Sequence, residues 1–527
     1  MFQSALVVAT GETKGRNRRK VFIWRIKFCL VVFPPFLRTT LILPGSLSLG
    51  LSEMTFKKFK SAKQAILPID FLIIGGGIAG LACATALRRV GHRVTVLEKD
   101  SALDRTPGPC RMPPNLSKIL YHWGLQDEVR AIAIKSESIS LLLYESGELL
   151  GKHHWDDEVM KETKGEFVFT HHSDLRKLLY DTATSYGAEV RLNTKVTCVD
   201  PDHGTVTLQT GEVLRADVIV GADGPDGLGR RTVLGREEEV EWGRLNMYST
   251  TVPRKLIMED PDLAYVYTQE YTTMFNWFGN DHSVLGFPIG DGSEFGLYVY
   301  GPNGHRGGTW DTTASVSDLE GILSTAEPRL RKLGALANKP TCVNVRTFPT
   351  LEQWVHAAGR MVLIGEAAHP LPPGSVQATA MTVEDGAVLA KLFSHLRTED
   401  QISNFLWAFQ DVRQPRCDSV VAREIGIVYF MTMPPGEHQE FRDQSMRAKR
   451  DAGIGILQAS EDIEESPEWT EVKEVFGYDA EDEADNWWVE WGLLRERSKG
   501  VDVTYGTPLQ KLGFPRYATR FRTTAST

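Results

Sequence analysis

The residues best equipped for chemistry open the first strong apolar run of the chain, Asp70-Phe-Leu-Ile-Ile-Gly75-Gly76-Gly77-Ile78-Ala79-Gly80, a strand-like stretch turning into G-x-G-x-x-G. Glu98 closes the next apolar run, His92-Arg-Val-Thr-Val-Leu-Glu98. In such a unit Gly75 permits a tight turn, Gly77 lets a pyrophosphate approach the backbone, and Gly80 lets the helix starting near Ile78 pack close to the strand. The first turn of that helix, with Ile78 and Ala79, then receives the anion. A carboxylate at Glu98 is placed to accept hydrogen bonds from an adenosine ribose that carries no phosphate. Taken alone, the glycines also suit a turn in some other α/β domain. Strand, helix and acid together point to a dinucleotide.

Two later segments share one pattern: Ala216-Asp-Val-Ile-Val-Gly221-Ala222-Asp223-Gly224 and Gly359-Arg360-Met-Val-Leu-Ile-Gly365-Glu366-Ala367-Ala368-His369-Pro370. Each reads as a buried strand running into small residues, where a backbone must come near a ligand. In this order the three stretches resemble the single-component, FAD-dependent aromatic hydroxylases, the salicylate-hydroxylase-like branch of the para-hydroxybenzoate hydroxylase superfamily. Further matches are Gly108-Pro-Cys-Arg111-Met-Pro113-Pro114-Asn115, His171-His172-Ser-Asp174-Leu175, and Pro372-Pro373 leading to Glu384-Asp385, so the resemblance covers roughly Asp70 to Tyr429.

The resemblance implies an α/β fold: a discontinuous Rossmann-like FAD-binding domain, an inserted β-sheet substrate domain and a helical C-terminal region. The corresponding segments are an N-terminal extension over 1–67, FAD-binding parts over 68–240 and 341–400, the substrate sheet over 241–340 and a helical region with an acidic tail over 401–527. It also implies FAD as cofactor, NADH or NADPH as co-substrate, and O2 used through a flavin hydroperoxide to hydroxylate or epoxidise an aromatic or conjugated small molecule; a flavin oxidase or reductase without oxygen insertion, and a flavin-binding protein without turnover, stand as the alternative readings. By the same resemblance Glu98 holds the adenosine ribose, and Arg111 lies against the cofactor, where a guanidinium suits the pyrophosphate. Asp223 and Gly224 approach the flavin and the nicotinamide donor, Glu366 and Ala367 the ribityl chain and pyrophosphate, and Thr379 stands on the loop beside the isoalloxazine.

Several positions depart from that pattern. Glu366 replaces an aspartate and is one methylene longer. His172 replaces an arginine, which shifts its pyrophosphate contact toward Arg176, one helical turn on. Gln377-Ala378-Thr379-Ala380 replaces Gln-Gly-x-Asn and loses a glycine. Ser249 follows Tyr248 where an arginine is common; Tyr248 is the candidate for orienting a substrate, with plain packing as its other reading. His369 reads as a structural residue of the Ala-Ala-His-Pro turn.

The rest of the composition fits a large enzyme with no nucleic-acid partner. The 527 residues supply ample core, the net charge is −9, and the six cysteines are scattered without a C-x-x-C pair, which suits a reducing, cytoplasmic setting. Residues 1–53 differ in character, with eight Lys or Arg against two Glu, and an apolar stretch broken at Pro34-Pro35 that is shorter than the ~20 residues a membrane-spanning helix needs. Membrane or organelle association would act through this segment alone. It reads as a targeting or anchor segment, a disordered tail, or sequence upstream of a start at Met54.

Coarse periodicity gives helices over Ile78–Val90, Leu116–Gly124, Asp174–Tyr186, Gly386–Leu396 and Asn404–Tyr429, a strand pair over Ser138–Leu150 and an all-β, aromatic-rich region from Val240 to Asn303. Residues 461–490 hold thirteen Asp or Glu against one Lys, together with Trp469, Trp487 and Trp488; the tryptophans suggest docking, and the acids read as a solvated face.

Overall fold

The computed structural model describes residues 62–103, 108–155, 157–304, 308–458 and 467–494. The expectations for residues 1–53 lie outside the described residues, as does part of the acidic run.

Asp70–Ile74 is apolar on both faces, so it can only sit at the centre of a covered parallel sheet. It pairs in parallel with Val218–Gly221 on one side and with Arg93–Leu97 on the other, and the outer strands Met361–Leu363 and Glu189–Arg191 complete a five-stranded parallel sheet. Met361–Leu363 enters this sheet after the chain has built a second one, which makes the first unit discontinuous. The helix Ile78–Arg89 covers one face. A second helix, Ala378–Phe393, packs on it so closely that a Cβ at Gly386 would lie 2.9 Å from Cys83 Cα.

The second sheet has seven strands, in the order Thr341–Asn344, Leu245–Pro253, Glu294–Pro302, Ser283–Ile289, Thr273–Phe278, Ser138–Leu143 and Leu149–His154. All its pairings are antiparallel except that of Thr273–Phe278 with Ser138–Leu143. The hairpin at 138–154 therefore belongs to this sheet, although it lies within the 68–240 segment. Strand alternation sorts the aromatics onto two faces. Tyr248, Phe275, Trp277 and Phe295 pack against the helices Val316–Ile322 and Pro328–Ala335; Phe278, Phe287, Tyr298 and Tyr300 face the other way. On that second face lies a small sheet of Pro109–Met112, Val168–His171 and Ile134–Lys135.

Three expectations need correction. The helix read as Gly386–Leu396 begins eight residues earlier, at Ala378, so Glu384 and Asp385 lie inside it; two acids at full burial are tolerable there because Arg413 meets both. The region 240–303 is not all β, since Arg254–Glu259 forms a helical turn in the crossover. The acidic tail is not simply a solvated face: Pro467–Gly477 and Ala480–Trp487 are helices, and Lys118 donates to the Gly477 carbonyl (3.0 Å) and faces Asp479 (3.4 Å). Trp488 stacks on His395 at 4.0 Å. Among the described residues the longest helix is Ile402–Met431, and none is long and apolar enough to cross a membrane.

Candidate functional site

Three loops meet at the carboxyl ends of the central parallel strands. Ala222 N–H bonds the Ile74 carbonyl (2.8 Å) and Ile364 N–H bonds the Gly221 carbonyl (3.0 Å), so Gly75–Gly80, Gly221–Gly224 and Gly365–Ala367 stand side by side. The strand order reverses between Asp70–Ile74 and Val218–Gly221, and open α/β sheets bind ligands at such a point.

The glycines here do different work. Gly75 has φ +108, and a Cβ on it would stand 2.3 Å from the Ala222 carbonyl oxygen; a Cβ at Gly80 would stand 1.9 Å from the Gly75 oxygen. Those two are required by the fold. Gly77 has an ordinary extended backbone, φ −74 and ψ −173, and caps the helix, yet a Cβ there would meet nothing within 4 Å. The fold leaves open space in front of that helix end, where partial positive charge favours an anion.

Beside the turn, Glu98 is buried. Its Oε2 accepts from Gly76 N–H (2.8 Å) and from Arg176 Nη2 (3.1 Å), and its Oε1 accepts from Asp100 N–H (2.9 Å). Arg176 in turn donates to the carbonyls of Gly76 (2.8 Å) and Leu103 (3.0 Å). Arg176 thus braces the glycine turn and Glu98 together. His172 begins the helix His172–Ser185, and its N–H bonds the Gly108 carbonyl (2.9 Å), which joins that helix to the Pro109–Met112 strand.

The other two loops are anchored from behind. Asp385 Oδ2 accepts from Gly365 N–H (2.7 Å) and faces His369 Nε2 (2.7 Å), while its Oδ1 meets Arg413 Nε (2.8 Å). Arg413 also meets Glu384 (2.7 Å), whose other oxygen takes Asn115 Nδ2 (2.7 Å). Burial opposes charge on His369, but Cys417 and Asp385 facing it outweigh burial and keep the imidazole protonated above its ordinary range. Burial likewise opposes charge on Asp385, and His369 and Arg413 hold its carboxyl below the usual range. His369, Asp385 and Cys417 have metal-ligand types, but the Arg413 guanidinium already neutralises the carboxylate. Glu366 and Asp223 both have carboxyls raised by burial. Asp223 Oδ2 accepts from Gly229 N–H (2.9 Å), and Gly224 takes φ +82.

Arg111, expected against the cofactor, turns its guanidinium to the second sheet and to the loop at Gly374. Its guanidinium donates to the Gly374 carbonyl and sits 3.9 Å from Met274 Sδ and 5.8 Å from the Tyr298 ring, on the face of the second sheet. The strand Pro109–Met112 packs on that sheet, which brings the Arg111 side chain to Met274 and Tyr298. Thr379 Oγ1 donates to the Arg111 carbonyl (3.1 Å) and fixes the start of the helix Ala378–Phe393. Glu424, which the sequence did not single out, accepts from Gln377 N–H (3.0 Å) and Val376 N–H (3.3 Å) and holds the turn before that helix; burial raises its carboxyl.

Tyr248 takes a packing position. It packs in the core between the sheet and the helices Val316–Ile322 and Pro328–Ala335, and burial pushes its phenol up to about 12. Alternation turns Tyr248 away from Arg111 and turns Met247 and Ser249 toward it; a Cβ at Gly108 would lie 3.1 Å from Ser249 Oγ. On the Arg111 face, Tyr298 and Tyr300 donate to the carbonyls of Pro109 and Pro373 (2.7 Å for Tyr300), and burial raises both phenols.

Among the described residues, Asp223 Oδ1, Arg111 Nε and Gln377 Nε2 are buried polar atoms with no hydrogen-bond partner, and all lie on the segments that frame this crevice. Buried polar atoms are nearly always satisfied, so unpaired ones here suit a bound polar ligand. With the open cradle at Gly77, they fit an elongated dinucleotide.

Residues 69–424 match the family model described as FAD binding domain. The chain belongs to that family. This FAD binding domain protein is similar to an FAD-dependent monooxygenase of Beauveria bassiana, 28% identical over 386 residues that span 72% of this chain and 89% of the relative. It is also similar to hispidin-3-hydroxylase of Neonothopanus nambi, 27% identical over 391 residues, 69% of this chain and 90% of the relative. A solved salicylate hydroxylase substrate complex shares the fold, with a TM-score of 0.62 and 19% identity over 79% of this chain and 97% of that one.

Proposed function

We propose that the chain is an FAD-dependent monooxygenase that takes electrons from NADH or NADPH, consumes O2 and oxygenates an aromatic or conjugated small molecule. FAD, when bound, supplies electron acceptance and O2 activation; the protein binds, orients and excludes water. The observation that carries this reading is the open space before Gly77, flanked by Glu98 and by the turns at Asp223 and Gly365, in a turn whose other glycines, Gly75, Gly76 and Gly80, are closed by their neighbours.

In this reading the Gly77 amide and the helix end behind it take the pyrophosphate, the Gly76 amide stays on Glu98 (2.8 Å), and Glu98, held by Arg176, takes the adenosine ribose. Asp223, Gly224, Glu366 and Ala367 line the ribityl part. The amino end of the helix Ala378–Phe393, with Thr379, favours negative charge placed before it. Arg111 faces both the cofactor loop at Gly374 and the apolar sheet face of Phe287, Tyr298 and Tyr300, where a ring would pack. Because burial keeps Tyr298 and Tyr300 protonated, they act as hydrogen-bond donors and wall, not as bases. The name of the hispidin-3-hydroxylase relative, which spans 90% of that protein in the match, supports an aromatic or conjugated substrate.

The test is to purify the protein with its flavin and follow NADH or NADPH oxidation, O2 uptake and product mass against a panel of phenols and conjugated lactones. The expected result is substrate-stimulated oxidation with one oxygen atom gained by the product. Flavin reoxidation that yields only hydrogen peroxide with every ring would assign an oxidase or reductase instead.

A further inference from the structure

Away from the crevice, a cavity of about 180 Å³ opens where the docked acidic helix meets the back of the first unit. Its charged and polar walls are Lys63, Arg89, His122, Lys391, Ser394 and Glu481. We propose that this cavity is a binding site for a phosphate-class dianion, either free phosphate or the phosphate of a nucleotide.

Arg89 is the central observation. Its side chain is 7% exposed, it lies over the Trp123 ring at 5.3 Å and also faces the Tyr186 phenol, and its Nε atom makes no hydrogen bond among the described residues. Glu481 stands 3.9 Å from Arg89 Nη1, too far for a hydrogen bond, and also accepts from Trp123 Nε1 (3.3 Å) and from His122. One carboxylate is thus shared among three donors. Lys391 bonds Asp485 (2.9 Å), and Lys63 meets the neutral acceptor His395 Nδ1 (2.5 Å). Three helices, Ile78–Arg89, Pro114–His122 and Ala378–Phe393, end at this cavity, and their carboxyl ends account for part of the cationic lining while themselves opposing an anion. They do not satisfy a buried Arg89 Nε. Burial and the nearby cations Arg397 and Lys391 depress Lys63, a repulsion that a bound anion would relieve.

Size selects within the anions. The cavity exceeds the ~30 Å³ share of one water, yet falls short of the ~300–1,000 Å³ of a site that engulfs a whole small-molecule ligand. A tetrahedral oxyanion fits, and a nucleotide would enter by its phosphate alone. Its oxygens would take donors from Lys63, Arg89 and Lys391, in competition with Glu481.

The test uses the full-length, FAD-loaded protein in phosphate-free buffer, titrated calorimetrically with inorganic phosphate and, separately, with adenosine 2′-phosphate, with chloride at matched ionic strength as control. Saturable binding is expected. Lys63→Ala and Lys391→Ala should each weaken it about tenfold. Glu481→Gln should tighten it several-fold by removing the competing carboxylate, even where it lowers the melting temperature. Tighter binding of adenosine 2′-phosphate than of phosphate would assign a nucleotide as the source, and the reverse would assign free phosphate. Absence of saturable binding beyond chloride, or binding unchanged in all three variants, overturns the proposal.

Discussion

Replacing Glu98 by alanine separates its two duties, bracing the fold and holding a cofactor. The carboxylate accepts three hydrogen bonds, from Gly76 N–H, Asp100 N–H and Arg176, at 2.8–3.1 Å, and the side chains of the ion pair are 5% and 3% exposed. Removing one partner of a buried pair costs about 3–5 kcal/mol, because the other charge stays buried. With an unfolding entropy of roughly 2.1 cal/mol/K per residue and ~400 cooperative residues, a loss near 4 kcal/mol lowers the melting temperature of the flavin-free protein by roughly 5 °C. Glu98→Gln should not rescue it, since both oxygens accept and an amide turns one into a donor. FAD affinity should fall as well. The assay is thermal melting of the apoprotein, paired with flavin fluorescence titration and a double-mutant cycle with Arg176→Gln. An apoprotein that melts within a degree of the native chain while only FAD affinity drops would refute the bracing role and leave Glu98 as a ligand alone.

Other outcomes follow from the same geometry. Arg413→Gln strands Asp385 and Glu384, both fully buried, and should destabilise by about 3–5 kcal/mol with loss of flavin, read by denaturant titration. His92 is buried, bonds the Phe393 carbonyl at 3.1 Å and is lowered by burial to about 4. Its folded value lies below its ordinary 6.5, so the unfolded chain binds the extra proton, and the stability present above pH 6.5 is lost as pH falls toward 4. His92→Phe should flatten that part of a melting-temperature profile, while the unpaired Phe393 carbonyl adds a loss independent of pH. Glu366→Gln should cost about 1–3 kcal/mol of FAD binding by exchanging a charged acceptor for a neutral one, and Glu366→Asp should bind no better than the native residue, both measured by fluorescence titration.

The sequence was most legible where one element carries its whole meaning. The strand, glycine turn, helix and acid from Asp70 to Glu98 can be read in order because they are contiguous and each glycine has a steric reason. Arg176 could be singled out as the basic residue one turn beyond His172, but its bracing of Glu98 and the Gly76 carbonyl was not readable from that spacing. Side-chain direction was not readable at Tyr248 and Arg111. Whether a strand residue faces one layer or the other depends on which element covers which face, and only the register of Leu245–Pro253 against Glu294–Pro302 decides that. Glu424 and Arg413 were illegible for a related reason. They act across more than 25 residues of sequence, and a charged residue in a long helix looks like surface until its partner is known.

The central claim is that the space before Gly77 belongs to the cofactor. Gly77→Val tests it most directly, because the backbone there suits any residue and the added side chain meets no protein atom within 4 Å of its Cβ. The expected result is an apoprotein destabilised by no more than about 1 kcal/mol, the cost of a poorer helix cap, with FAD binding reduced at least a hundredfold in a flavin fluorescence titration. A Gly77→Val protein that retains FAD with native affinity would place the cofactor elsewhere and contradict the account.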